Sequence, residues 1–189
     1  MGTRPIKSIS LPGERTFSVV LADLLSEPVD CIVNAANGFL SHGGGVAAAI
    51  ARAAGDDLER EGDSIVRERG PIPVGEAVVT TAGKLPFKGV IHAVGPRKGE
   101  GNEENKLVQA LRLAFLRATE KRWESISFPA VSSGIFAVPL DVCARAYVIA
   151  VTEFFRDHPD SSLRTVRLTL FEGPLVELVL NEMERSDPA

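Results

Sequence analysis

Two stretches of this 189-residue chain gather residues that could meet an anion without any charged side chain. The first is Asn34-Ala35-Ala36-Asn37-Gly38-Phe39-Leu40-Ser41-His42-Gly43-Gly44-Gly45-Val46, which runs from a strand-like segment directly into a helical one. Three glycines in a row present no Cβ to a ligand and reach backbone angles closed to other residues, so their amides can converge on an anion at a helix N-terminus. A glycine run can also serve only to let segments pack closely, and three glycines alone satisfy either account. The second stretch, Ser132-Ser133-Gly134-Ile135-Phe136, holds the equivalent place after a later strand and could close the other side of the same anion as a nest of N–H groups. No Lys or Arg lies between Ser41 and Ala51 or between Ser132 and Val138. A phosphate here would rest on backbone dipoles, each helix end contributing ~0.3–1 kcal/mol, so its carrier needs further anchors. A nucleoside at one end and a sugar at the other would supply them.

Candidates for those anchors stand at other strand ends. Asp23 follows an apolar strand and could accept from an exocyclic amine, or could simply form a turn. Phe171 ends the last strand and could cover a base or belong to the core. Asn37 could bond sugar hydroxyls or cap its own turn. Of the three histidines, His92 falls inside an apolar strand and is expected to be a satisfied core residue. His42 adjoins the glycines and is the one placed to touch a ligand.

Several chemistries drop out. The chain has neither the GxxxxGK[ST] nor the GxGxxG spacing. His42, His92 and His158 show no metal-ligand spacing, and Cys31 and Cys143 match no zinc motif, so no metal and no cofactor is expected. Ser132 and Ser133 lack the nucleophile-elbow pattern and an evident activating pair. A formal charge of −4 without a basic cluster makes duplex nucleic acid an unexpected partner.

The elements that must position these residues alternate in type. Thr16–Ala22, Val29–Val33, Glu76–Thr81, Val90–Val94, Ile126–Ala130 and Val166–Phe171 read as strands. A small-residue helix is expected over Val46–Ala54. Leu107, Ala110, Leu111, Ala114, Phe115 and Ala118 mark one face of a second helix, and Cys143, Ala146, Tyr147, Ala150 and Phe154 one face of a third, opened by Pro139. A last helix carries Leu175, Leu178, Val179 and Met183. Strands separated by helices imply an α/β fold with a mostly parallel sheet covered on both faces, whose ligands sit at the carboxyl ends of strands. With 44% hydrophobic and 24% charged residues, the chain reads as a single globular domain over 1–189, residues 1–5 standing outside its ordered part. No run suits a membrane span or a signal peptide, and free cysteines fit a reducing compartment, so a cytoplasmic monomer is expected.

The segments Val29-Asp30-Cys31-Ile32-Val33-Asn34-Ala35-Ala36-Asn37 and His42-Gly43-Gly44-Gly45-Val46-Ala47-Ala48-Ala49-Ile50 together resemble the signature of macrodomains. The resemblance continues in family order through Pro73-Val74-Gly75-Glu76-Ala77, Ile91-His92-Ala93-Val94-Gly95-Pro96, Phe128-Pro129-Ala130-Val131-Ser132-Ser133-Gly134-Ile135-Phe136 and Leu170-Phe171-Glu172. It implies a three-layer α/β/α sandwich with a central mixed, mostly parallel sheet that binds ADP-ribose. Asp23, with Leu24 beside it, would hold the adenine amino group, and Phe171 would pack on the ring. Gly43, Gly44, Gly45 and Val46 would line one side of the diphosphate, and Ser132, Ser133, Gly134, Ile135 and Phe136 the other. Asn37 would address the distal ribose, and Asn37, His42 and Gly45 would carry the chemistry.

Two positions depart from the family. Ala22-Asp23 stands where Gly-Asp is usual, and Ala47 and Ala51 stand where one hydrolase branch has an aspartate and a histidine. The resemblance therefore implies hydrolysis of mono-ADP-ribose from acidic side chains, or of related ADP-ribose esters, by positioning without a general base. The rival it leaves open is a reader that binds ADP-ribose or ADP-ribosylated proteins without turnover. A single-stranded RNA or nucleotide binder is the third reading.

Overall fold

The computed structural model describes residues 4–186. The expectation about residues 1–5 therefore falls largely outside the described residues. In chain order the elements are β1 (Lys7–Leu11), β2 (Arg15–Leu21), a 3-10 turn (Leu24–Ser26), β3 (Cys31–Ala36), α1 (Gly45–Ala54), α2 (Asp56–Arg69), β4 (Ala77–Thr80) and β5 (Gly89–Val94). They continue with α3 (Glu103–Glu120), β6 (Ser125–Phe128), α4 (Leu140–Asp157), β7 (Thr165–Leu170) and α5 (Pro174–Ser186). The described strands form one sheet in the order β1-β2-β7-β6-β3-β5-β4. Its inner five strands run parallel, and β1 and β4 close the edges antiparallel to β2 and β5.

Alternation along β3 shows how the sheet is covered. Cys31 and Val33 enter the core formed with α3, α4 and α5, whereas Ile32 enters a second core with Ile50, Ala54 and Leu58 of α1 and α2. That division yields the expected three layers. The large core is built on Phe17, Phe115, Phe128, Tyr147 and Phe154, whose rings meet mostly edge to face with centroids 5.5–6.4 Å apart. Edge-to-face contacts match positive ring edges to negative faces. Both cysteines are free and buried, and burial pushes the Cys143 thiol up to about 11.

Two elements escaped the reading of the sequence. In β1 only Ile9 is buried, and with Leu11 it makes just two apolar positions, too short an alternation to mark this edge strand. In α2 only Leu58 and Gly62 are buried among fourteen residues, too narrow a stripe to mark a helix face. The histidine reading of β5 holds. His92 is fully buried, Asn34 Nδ2 donates to its Nδ1 at 3.0 Å, and its Nε2 lies 2.8 Å from Thr80 Oγ1. Because the Thr80 hydroxyl donates to the Thr81 carbonyl, His92 Nε2–H is the donor, which fixes a neutral ring. Burial drives the His92 pKa down to about 3, and the neighbouring His42 adds to the shift. Among the described residues no helix is long and apolar enough to cross a membrane.

Candidate functional site

Because β2, β7, β6, β3 and β5 are parallel, the loops that follow them leave the sheet on one side, in that spatial order. They enclose a cavity of ≈ 740 Å³. A volume of this size suits a small-molecule ligand, and the carboxyl end of a parallel sheet is where one is expected. Asp23, Leu24, Asn37, Gly43, Gly44, Gly45, Val46, Ser132, Ser133, Gly134, Ile135, Phe136 and Phe171 all line it.

The glycine loop joins β3 to α1. Asn37 braces its start: the side-chain carbonyl accepts from the N–H groups of Phe39 (3.0 Å) and Ser41 (3.2 Å), while Nδ2 donates to Ser41 O (3.0 Å) and Oγ (2.9 Å). The turn-capping account of Asn37 thus describes its bonds, although it still faces the cavity. Of the three glycines only Gly45, at φ +59°, occupies the left-handed region. Gly44 is extended, and a methyl placed on it would lie 3.4 Å from Ile135 Cδ1, so the two loops approach each other there. Nothing stands within 4 Å of a Cβ built on Gly43 or Gly45, leaving their backbone open to the cavity.

The second loop, 129–138, joins β6 to α4. Ser132 at φ 67° and Ala137 at φ 55° both adopt the left-handed region without being glycine, a strained state for an L side chain. Tertiary bonds hold it. Tyr147 donates its hydroxyl to Val131 O at 2.6 Å, Ser132 Oγ donates to Pro96 O at 2.8 Å, and Val138 N–H donates to Ser132 O at 3.0 Å. Gly95 makes room for this packing, since a Cβ there would fall 2.2 Å from Ser132 Oγ. With Ser133 Oγ donating to Ala130 O at 2.8 Å, both serine hydroxyls are spent on backbone carbonyls, in keeping with the weak case for a serine nucleophile.

The decisive property of both loops is what their amides do not bond. The N–H groups of Gly43, Gly44 and Gly45 on one side, and of Gly134, Ile135 and Phe136 on the other, make no hydrogen bond among the described residues. Donors left without a protein partner on two loops that face each other across a cavity suit an anion cradle.

The ends of the cavity differ in chemistry. Asp23 caps the 3-10 turn by accepting from Leu25 N–H at 2.9 Å through Oδ1. The turn is anchored by Glu27, fully buried and paired with Arg167 at 2.5 Å, and Ser127 connects that pair to Thr169, which lines the cavity. Phe171 lies just beyond β7, and Ile135 stands on the second loop. Both are almost fully exposed, at 79% and 81%. Apolar side chains left in solvent at a cavity rim suit a ligand that covers them.

One candidate moves. His42 does not line the cavity: its ring packs 6.0 Å from His92 on the α1/α2 side of the sheet, and neither ring nitrogen has a hydrogen-bond partner among the described residues. Burial lowers its pKa, with Glu59 and Asp63 opposing. Adjacency in sequence to the glycines misled, because the His42 ring packs against His92 while the glycines line the cavity. Arg97 was missed. It lines the cavity from the loop after β5 with its guanidinium carbon 4.5 Å from the Phe136 ring centroid, and a lone loop arginine carries no pattern that sequence could reveal.

The family model described as Macro domain matches residues 33–147. An uncharacterized protein of Thermotoga maritima is 47% identical over 86% of this chain, which spans 27% of that relative's length. Among solved structures, the Oceanobacillus iheyensis macrodomain with ADP superposes with a TM-score of 0.87 at 28% identity, covering 95% of both chains. The Trypanosoma brucei macrodomain in complex with ADP-ribose gives a TM-score of 0.81 at 27% identity, covering 95% of this chain and 73% of the other.

Proposed function

The chain belongs to the Macro domain family, and from that premise we propose that its cavity binds ADP-ribose and releases mono-ADP-ribose from glutamate or aspartate side chains. One observation carries the binding: six main-chain N–H groups without a partner among the described residues stand on two loops that face each other across the cavity, which suits a diphosphate bound by backbone donors. The complexes of the Oceanobacillus and Trypanosoma macrodomains with ADP and ADP-ribose support it. The diphosphate lies between Gly43–Val46 and Ser132–Phe136, and the adenine lies against Phe171 with Asp23 at its amino group. Asn37 shapes the opposite end, where the distal ribose sits. From β2 to β3 is three strand spacings, ~14 Å, a fitting span for the two ends of such a ligand.

Hydrolysis here is a matter of positioning. Among the described residues Asp23 is the sole carboxylate lining the cavity, at the adenine end, and Ala47 faces the cavity near the glycines. Water attacks C1″, its oxygen forming the new bond as the C1″–carboxylate bond breaks. The departing carboxylate or the ligand's phosphate takes the proton. Holding water and ribose in line supplies several kcal/mol without a general base. The second reading, a reader without turnover, is favoured by the same Ala47.

The test incubates the protein with a glutamate-linked mono-ADP-ribosylated target and follows freed ADP-ribose, with Asn37→Ala alongside. Slow release that the variant loses is expected. Binding with release no faster than the uncatalysed rate would leave the reader, and absence of ADP-ribose binding would sink the assignment.

A further inference from the structure

Resting on that reading and going beyond it, we propose that Arg97 forms a subsite for the modified protein itself, selecting ADP-ribose attached within an acidic segment. Among the described residues, Asp23 and Arg97 are the only charged ones lining the cavity. The sheet order separates them. Asp23 follows β2 and Arg97 follows β5, four strand spacings apart or ~19 Å, whereas β5 lies directly beside the β3 that leads to Asn37. Arg97 therefore stands at the distal-ribose end, where anything bonded to C1″ leaves the cavity.

The loop carrying it is stitched to the second amide loop from both sides. Lys98 N–H donates to Phe136 O at 2.8 Å, and Pro96 O accepts from Ser132 Oγ at 2.8 Å. Between these bonds the Arg97 guanidinium lies over the Phe136 ring, 4.5 Å from its centroid. Stacking of this kind holds the plane and leaves the N–H edges to meet an oxyanion. Those edges are free: Arg97 takes part in no hydrogen bond or ion pair among the described residues, unlike Arg60 on α2, Arg112 and Arg117 on α3, and Arg145 and Arg156 on α4. The nearby Glu103 is engaged by Gly99 N–H at 2.7 Å. Because six amides already serve the diphosphate, an exposed cation at the mouth is left to serve the acceptor, and carboxylates flanking a modified glutamate match it.

The test uses two peptides carrying a stable amide-linked mono-ADP-ribose, one flanked by glutamates and one by glutamines, together with free ADP-ribose and ADP-ribose 1″-phosphate. Each is titrated calorimetrically into the wild type, Arg97→Gln and Arg97→Lys. The wild type should prefer the acidic peptide about fivefold, the effect of one exposed ion pair, and the preference should fade at high salt. In Arg97→Gln the ratio should collapse to about one, with Arg97→Lys keeping part of it. Equal affinity for both peptides in the wild type, or a preference that survives Arg97→Gln, overturns the proposal. So does an Arg97-dependent gain confined to the 1″-phosphate, which would make the subsite one for a small terminal anion. If the wild type fails to bind free ADP-ribose, it is the underlying function that falls.

Discussion

The two loops that face each other across the cavity offer the same thing, a set of uncommitted amides, and are built in opposite ways. Gly43–Val46 obtains its geometry from residue type: Gly45 takes φ +59° at no steric cost, and two of the three glycines meet nothing a Cβ would touch. The loop after β6 obtains its geometry from the rest of the molecule, with Ser132 and Ala137 held in left-handed conformations by Tyr147, Pro96 and the packing gap at Gly95. Strained backbone persists where its surroundings over-determine it. A locally permissive loop tolerates change around it and fails when it is filled, whereas an imposed loop fails when its supports are removed.

Filling the first loop gives the largest expected effect. Gly45→Val projects a branched side chain into the cavity and costs ~1–2 kcal/mol of left-handed strain, while the protein around it has room. Calorimetry should show ADP-ribose affinity reduced at least about a hundredfold, ~2.7 kcal/mol, in a protein that still unfolds cooperatively. Unchanged affinity would contradict the cradle. Next comes removal of support from the second loop. Gly95→Ala drives a methyl against Ser132 Oγ and should cost about 2 kcal/mol in denaturant unfolding. Adding Ser132→Gly, which deletes that oxygen and relieves the positive φ, should recover part of the loss. A strictly additive double mutant would mean the two sites are not coupled through this contact.

The smallest expected effect separates the loops by pH. His92, behind the glycine loop on the β3–β5 pair, is held neutral with its pKa near 3, and the pKa of His42 beside it is also lowered. A base whose folded pKa is depressed stabilises fully above its unfolded value near 6.5 and loses that contribution as pH falls from there toward the folded value. Between about pH 6.5 and 5 the wild type should lose on the order of 1 kcal/mol more stability than His92→Gln, followed by denaturant midpoints. Equal slopes would show that His92 is not the titrating group.

How much of this was legible in the sequence differs by region. The glycine loop, the strand and helix flanking it and the one-faced helices α3 and α4 were readable because their signals are local, a residue type or a period. Asp23, Phe171 and the Ser132 loop could be named as candidates from their places after strands, but only the resemblance gave them roles, since their isolated types fit a turn or a core equally well. The misplacement of His42 and the silence about Arg97 share a cause: one residue is next to the glycines in sequence but packs against His92 instead of lining the cavity, and the other is distant in sequence but lines it.

Residue order by itself determined the alternation of strands and helices, the two covered faces of the sheet and a helix entrance stripped of side chains, because hydrophobic period and the missing Cβ of glycine act over a few neighbours. Which strands lie side by side was decided only in three dimensions. That order arranges Asp23, Phe171, both amide loops and Arg97 in a row along one end of the sheet, and it brings Tyr147, Pro96 and Gly95 to the loop they restrain. Such contacts depend on loop closure over tens of residues, and no local propensity encodes them.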